Sequence, residues 1–441
     1  MSVVRSRRRA VRALALPLLA VPAAHAAPGP GPAGSLAAAL AGLSSPDAVV
    51  FLPAGEHHFD NPLVVRRRSG TLRLLSGAWL LPRRAVGGGL RFDDCTDLAI
   101  EGLRIEWPQA DGVARSHHGA GLMLVTSARV AVRDCVIVGA PGAGLHVDTC
   151  TMVLDERVGV ARTLADGVHF ANCREVVARD LHTRDTGDDG VGCVDYAHAP
   201  AGGGISLRGV DVEGSRARGI AIAGASDVDI DGFTVRRTAS SGVLVATDVH
   251  YRTRRPARVA LRDGAVEGGG RMDPGAGNRF GIEVIAADDV ALHDVRVTGA
   301  RSRGVSVVDT GGAASLSDVD IGAPDAPDGA ALECRGNARV TIRRARLDGS
   351  AGPALDVVAN ARLELDAIVL HGAAGVEAGA RIDGPGRVAI GEVRVEDEGV
   401  ARLRVGGGAR GSLRVPDRRR VALELRDAEI ELLTASGGND G

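Results

Sequence analysis

The sequence predicts an all-β fold, a single-stranded right-handed parallel β-helix opened by a short N-terminal capping helix. Three observations predict it. Glycines recur 23 residues apart at Gly121, Gly144, Gly167 and Gly190, resume at Gly219 and Gly242 after an interval of 29, and resume again at Gly281 and Gly304. Each opens an apolar, variable, apolar triplet, as in Leu145/Val147, Val168/Phe170, Val191/Cys193 and Ile220/Ile222, which is the period-two alternation of a strand. Within one 23-residue repeat, Val176 with Ala178 and Leu181 with Thr183 supply two further alternating pieces, separated by turn residues with no room for a helix. A leucine-rich repeat has a compatible period, but its LxxLxLxxN frame is absent.

In chain order, residues 1–26 read as a signal peptide: a basic start (Arg5, Arg7, Arg8, Arg9), an apolar stretch from Ala13 to Ala23, and the small-residue cleavage site Ala24-His25-Ala26. The run SRRRAVR resembles a twin-arginine signal, so a secreted or periplasmic protein is expected. Residues 27–46 form a linker and cap helix, in which GSLAAALAGLSSPD covers the first turn of a stack whose ends would otherwise expose apolar edges. Residues 47–415 form the β-helix. Counted from Leu90 to Leu433 it has roughly 13 turns, which at about 4.8 Å per stacked strand makes a rod on the order of 60 Å long. Residues 416–441 hold the closing strands VALELRDAEIELL and a tail.

Composition narrows the partners. Aromatic residues are only 2% of the chain and glycine is 61 of 441 residues, so Val, Leu, Ile and Ala columns must build the core, with glycine expected at tight corners. Without residues 1–26 the chain keeps 48 arginines, no lysine and 55 acidic residues. A mildly acidic rod has no electrostatic footprint for nucleic acid, and a strongly anionic polymer would need a local arginine patch. No apolar run after the signal is long enough to span a bilayer. A neutral or weakly charged glycan fits best, bound by a monomer.

The chemistry is expected where carboxylates stack. Asp166 and Asp189 each precede a ladder glycine, so they recur at one point of successive turns, with Asp188 adjoining and Arg218 following in the same column. In a triplet such as Val168-His169-Phe170 the flanking residues face the core and the middle one faces out, which stacks His146 and His169 beside Asp166. Crowded carboxylates raise the pKa of at least one of them, leaving a protonated acid next to ionised bases.

The segments LADGVHF and DTGDDGVG, with Asp166 falling 22 and 23 residues before Asp188 and Asp189, resemble the catalytic pattern of β-helical glycosidases in glycoside hydrolase families 28, 49, 87 and 110. RTLADGVHFANC, TGDD and the upstream LRIEWPQADG are most similar to the family of α-1,3-galactosidases, and VVFLPAGEHHFDNPLVV resembles the opening strand of pectate-lyase-like proteins. The resemblance implies an inverting glycoside hydrolase in which Asp188 is the general acid while Asp166 and Asp189 hold and activate water. The chain departs from polygalacturonases in having Leu164-Ala165 before Asp166, Arg218 where their GHG histidine falls, and GVLV in place of RIK, which argues against a pectin backbone as substrate.

Substrate contacts are expected from His146, His169, Arg218, Tyr196, His198 and Glu283, the last outward-facing two turns beyond Arg218. The insertions around Tyr196 and His198, and from His250 to Asn278, lengthen turns beside the site and are placed to build its walls. Tyr196, Tyr251 and Trp107 are rare aromatics open to two readings, sugar stacking or core. Cys150 and Cys173 are one repeat apart, as a disulfide or as a column of small buried residues, with Cys95 in the same column; Cys193 faces the core. No CxxC pair or metal-type Cys/His spacing occurs, so neither metal nor cofactor is expected. Two other functions share the scaffold: a polysaccharide lyase or epimerase, and a non-catalytic glycan-binding or structural rod.

Overall fold

A computed structural model of the chain describes residues 35–108, 112–273, 279–327, 329–350, 352–358, 362–371, 379–396, 401–414 and 421–433. The segment expected to be a signal peptide, the linker to residue 34 and the C-terminal tail lie outside the described residues. The fold is a parallel β-solenoid of about 15 turns with almost no helix. Its right-handed winding is the one that parallel crossovers favour. One turn not counted from the sequence is the opening one, whose strand Leu63–Arg66 pairs with Leu90–Asp93.

Each turn contributes one short strand and one long one. The short strands, among them Leu145–Asp148, Val168–Ala171, Val191–Val194 and Ile220–Ala223, form a 15-stranded sheet. The ladder spacing is its register: Leu145 pairs with Val168, Val168 with Val191 and Val191 with Ile220. The long strands, such as Thr151–Ala161 and Arg174–Arg184, carry two residues with left-handed φ, one near the start (Arg129, Met152 and Glu175 in successive turns) and one at a central bend (Asp134, Arg157 and Asp180). The bend leaves those residues out of the pairing and divides each long strand into the two alternating pieces expected. In the first turns the division is complete, and Thr96–Glu101 and Arg104–Glu106 both pair with Ala128–Val138.

The core is the inside of this three-sided tube. Val147, Phe170, Cys193 and Ile222 stack in one column and Leu181, Val210 and Phe233 in another, all buried. Trp107 is 1% exposed, which decides between its two readings in favour of the core. All six cysteines are buried free thiols, so the Cys150–Cys173 bridge is not made, and the column reading holds.

The ladder glycines correct one expectation. None of them has positive φ, so they do not mark tight corners. They lie where the short strand begins against the end of a long strand, and a methyl group at Gly144 or Gly190 would overlap the side chain of Val160 or Val212. Close approach of two strands, not backbone conformation, selects glycine here.

The helix Ser35–Ala41 caps the first turn, burying Leu36 and Leu40, with Leu43 following. The last described strands, Val421–Leu425 and Glu429–Leu433, end the two sheets.

Candidate functional site

The edge of the short-strand sheet carries the acids. Because each turn repeats the previous one, the residue before the glycine lies one strand above its predecessor, and its backbone N–H points at the side chain below. Asp189 donates its N–H to Oδ1 of Asp166 at 3.3 Å, and Arg218 donates its N–H to Oδ1 of Asp189 at 2.9 Å. Arg218 then closes on Asp189 a second time through Nη2, 2.8 Å from Oδ2.

Asp166, Asp188 and Asp189 each present an oxygen within 4.8 Å of the others. They form the base of an open cavity of about 170 Å³, whose walls include His146, His169, Tyr196, Arg218, Asp248 and Tyr251. Asp166 and Asp189 are almost enclosed, while the side chain of Asp188 keeps 22% of its surface open.

Each carboxylate has one cationic partner. Asp166 is hydrogen-bonded to Nδ1 of His169, Asp189 to Arg218, and Asp188 lies 2.6 Å from Nη1 of Arg115. Three acids thus meet three cations, so a divalent ion on the triad would have to displace groups already in place. Among the described residues no other cluster of three such groups offers a metal site.

Burial and charge drive the acids apart. Burial lifts Asp189, Arg218 pulls it down, and the charges of Asp166 and Asp188 lift it further, to about 7. Asp166 would also rise by burial, but His169, Arg115 and Arg218 outweigh this and hold it below the usual carboxylate value. Burial works against a charge on His169, yet the Asp166 carboxylate raises its pKa; burial and the charge of His169 push His146 down to about 3. One carboxyl near neutrality beside one firmly ionised is the separation that acid/base catalysis uses.

The walls come from insertions. Asn172, left-handed at its corner, donates Nδ2 to Asp195 at 2.5 Å and to the carbonyls of Tyr196 and Pro200 at 3.0 Å. Arg254 donates to the Ala199 carbonyl at 2.5 Å, and Tyr196 bridges to Thr253, which ties the Tyr196 loop to the Tyr251 loop. The Asp248 carboxylate accepts the N–H groups of His250 and Tyr251, fixing the tip that holds Tyr251 over the cavity. Below it, Gly192 stands opposite His169 in the sheet. A methyl group there would lie 3.1 Å from Nδ1 of His169 and 3.5 Å from Oδ2 of Asp166.

The structure therefore brings together Asp166, Asp188, Asp189, His146, His169, Arg218 and Tyr196. His198 does not line the cavity; it is exposed behind Tyr196, their ring centroids 5.5 Å apart. Glu283 does not reach it either. Leu244 occupies the turn between, and Glu283 is buried, accepting a hydrogen bond from Ser241 at 2.9 Å. Sequence reasoning missed Arg115 and Asp248, since both lie outside the repeat and the three-dimensional path of their loops has no period to read. Two guanidinium groups, those of Arg115 and Arg218, converge on this cavity.

No protein-family model and no curated protein matches the chain. Among solved structures it is similar to the catalytic domain of a GH87 α-1,3-glucanase in complex with nigerose, at 12% identity and a TM-score of 0.48, over 79% of this chain and 61% of that one. It is similar also to the mannuronan C-5 epimerase AlgE4 A-module of Azotobacter vinelandii, at 13% identity and a TM-score of 0.40 over 92% and 94% of the two chains. An exopolygalacturonase from Thermotoga maritima matches at 13% identity and a TM-score of 0.38, over 79% and 84%. The chain spans 61% of the length of the glucanase domain.

Proposed function

We propose that this chain is an exported glycoside hydrolase that cleaves a neutral or weakly charged glycan by acid/base catalysis with Asp166, Asp188 and Asp189. The observation that carries the reading is three carboxylates within 4.8 Å at the base of an open cavity, with one of them raised to about 7 and another lowered. Holding three such groups together out of water is costly, and a purely structural turn has no need of it.

Asp188, whose face is open to the cavity, relays to the departing glycosidic oxygen the proton that Asp189 holds near neutral pH. Asp166, kept ionised by His169, takes the proton of the attacking water. Asp189, gripped twice by Arg218, shares the hold on that water and keeps a proton within the cluster near neutral pH. Arg115 lies 2.6 Å from Oδ2 of Asp188, and the other oxygen, Oδ1, is the one assigned to the transfer. Water attack on the face opposite the leaving group gives inversion. Carboxyl separations of roughly 6.5–9.5 Å accompany inversion and roughly 5–5.5 Å retention. The 4.8 Å limit is between one oxygen of each carboxylate, so proton NMR of the first anomer formed is the measurement that decides; net retention overturns this part alone.

The test of activity is reducing-sugar release from α- and β-linked galactans and glucans. Asp188→Asn is expected to lower it roughly a hundred- to ten-thousandfold with a melting temperature near that of the wild type, as removal of a general acid acts on rate and not on packing. Full activity of that variant overturns the assignment. A lyase or epimerase reading draws on Arg115 and Arg218, which could neutralise a uronate. Both guanidinium groups are already engaged by aspartates, however. Ultraviolet absorbance of unsaturated products from polyuronates would favour the lyase.

A further inference from the structure

We infer a second sugar subsite, in a groove on the far side of Arg115 from the catalytic carboxylates. The inference rests on the hydrolase reading and deepens it. The groove encloses about 520 Å³ and shares a single lining residue, Arg115, with the catalytic cavity. The same guanidinium bonds Asp188. Asp188 therefore stands at the partition between the two spaces, and a saccharide bound across it puts one ring over the triad and the next in the groove.

The size and lining of the groove fit that role. At about 170 Å³ the catalytic cavity falls below the roughly 300–1,000 Å³ of ordinary ligand sites, while the groove falls inside that range. Its lining is two-sided. Leu164 and Met272 offer apolar surface for the C–H face of a pyranose, and Arg162, Asp185 and Arg216 offer planar polar groups for its hydroxyls. The geometry has a local cause. Arg162, Asp185 and Gly214 have left-handed φ in successive turns, so the chain leaves the sheet there and the next residues form a shelf. Across it, Met272 is held by Arg271, which donates to the Gly299 carbonyl at 2.8 Å and to Asp325 at 2.6 Å.

Charge names the ligand class. Arg162 is engaged by Glu106 at 3.1 Å and Arg115 by Asp188. That leaves Arg216, exposed and with no side-chain partner among the described residues, facing the same groove as Asp185. One cation against one anion favours a neutral sugar over a uronate or a sulfate ester.

The experiment measures kcat/KM for neutral α- and β-linked gluco- and galacto-oligosaccharides of two to six residues. In the wild type the value is expected to rise with length up to the size that fills both spaces. Arg216→Ala and Met272→Ala, both at exposed positions, are expected to flatten that rise roughly tenfold, acting through KM. An unchanged length dependence in both variants overturns the subsite and leaves the hydrolase reading standing. If nothing is hydrolysed the hydrolase reading falls, and calorimetry with the same oligosaccharides then decides the subsite: binding weakened tenfold by Arg216→Ala upholds it, and no binding overturns it.

Discussion

Asp155 is the least comfortable residue in the molecule, and replacing it should stabilise the fold in a manner that grows with pH. It occupies an inward position of a long strand, paired with Val132 below and Ala178 above, and it has no exposed surface. Neither carboxyl oxygen has a hydrogen-bond partner. Burial pushes its pKa from 3.8 to about 8. The folded chain therefore holds a proton that the unfolded chain releases, and stability falls as pH rises from about 3.8 to about 8, with the full stability present below that window. At roughly a kcal/mol and a half per pH unit, the charge costs on the order of 2 kcal/mol at pH 5 and roughly 5 kcal/mol at pH 8. Asp155→Val removes that cost and adds overpacking of about 1–3 kcal/mol against its neighbours. The variant should thus be nearly neutral at pH 5 and more stable than the wild type by roughly 2–4 kcal/mol at pH 8. Guanidinium denaturation of both proteins at the two pH values measures the difference, from which all groups common to both cancel. Asp155→Asn, which keeps the shape, should show the same pH trend. A difference that changes by less than about 1 kcal/mol between the two pH values would refute the reasoning.

The remaining predictions concern the site and the thiols. Gly192→Ala should lower kcat/KM by roughly ten- to a hundredfold with little change in melting temperature, since its methyl group presses on Nδ1 of His169 at 3.1 Å, the nitrogen that bonds Asp166; unchanged kinetics would remove Gly192 from the site. Hydrolysis should decline as pH rises through about 7, where Asp189 loses its proton, and Asp189→Asn should lose that limb of the profile along with most of the activity. Arg218→Ala, by stranding a buried carboxylate, should cost about 3–5 kcal/mol at pH 8 and less at pH 5, read as a shift in denaturation midpoint; equal losses at both would show that the two groups are not coupled. Burial raises the Cys135, Cys150 and Cys193 thiols to about 12, so a disulfide-exchange reagent should find no reactive thiol in the native protein and six after denaturation; four would mean a disulfide.

The register of the solenoid was legible because one turn is one repeat. A glycine needed wherever Val160 or Val212 crowds the strand start writes the period of the fold into the chain, and with it the stacking of Asp166 on Asp189 and of His146 on His169. Alternation within each triplet set which side faces the core. The same rule sets Glu283 apart from the core residues Ile282 and Val284, yet it was silent on what buries Glu283 and on how far along the axis the cavity extends. It also assumed purely apolar inward columns, and Asp155 breaks that assumption at a position where the period alone expects a valine.

Local repetition therefore determined the path of the backbone, the number of faces and the column in which the acids stand, because contacts between neighbouring turns lie at constant separation along the chain. The closing of the cavity was decided only in three dimensions. Arg115, Asp248 and Tyr251 reach the triad from loops outside the repeat, and the pairing of each carboxylate with its own cation depends on where those loops fold. Burial, which separates Asp166 from Asp189 in acidity and strands Asp155 in the core, is a property of the packed assembly of turns and has no trace in any one of them.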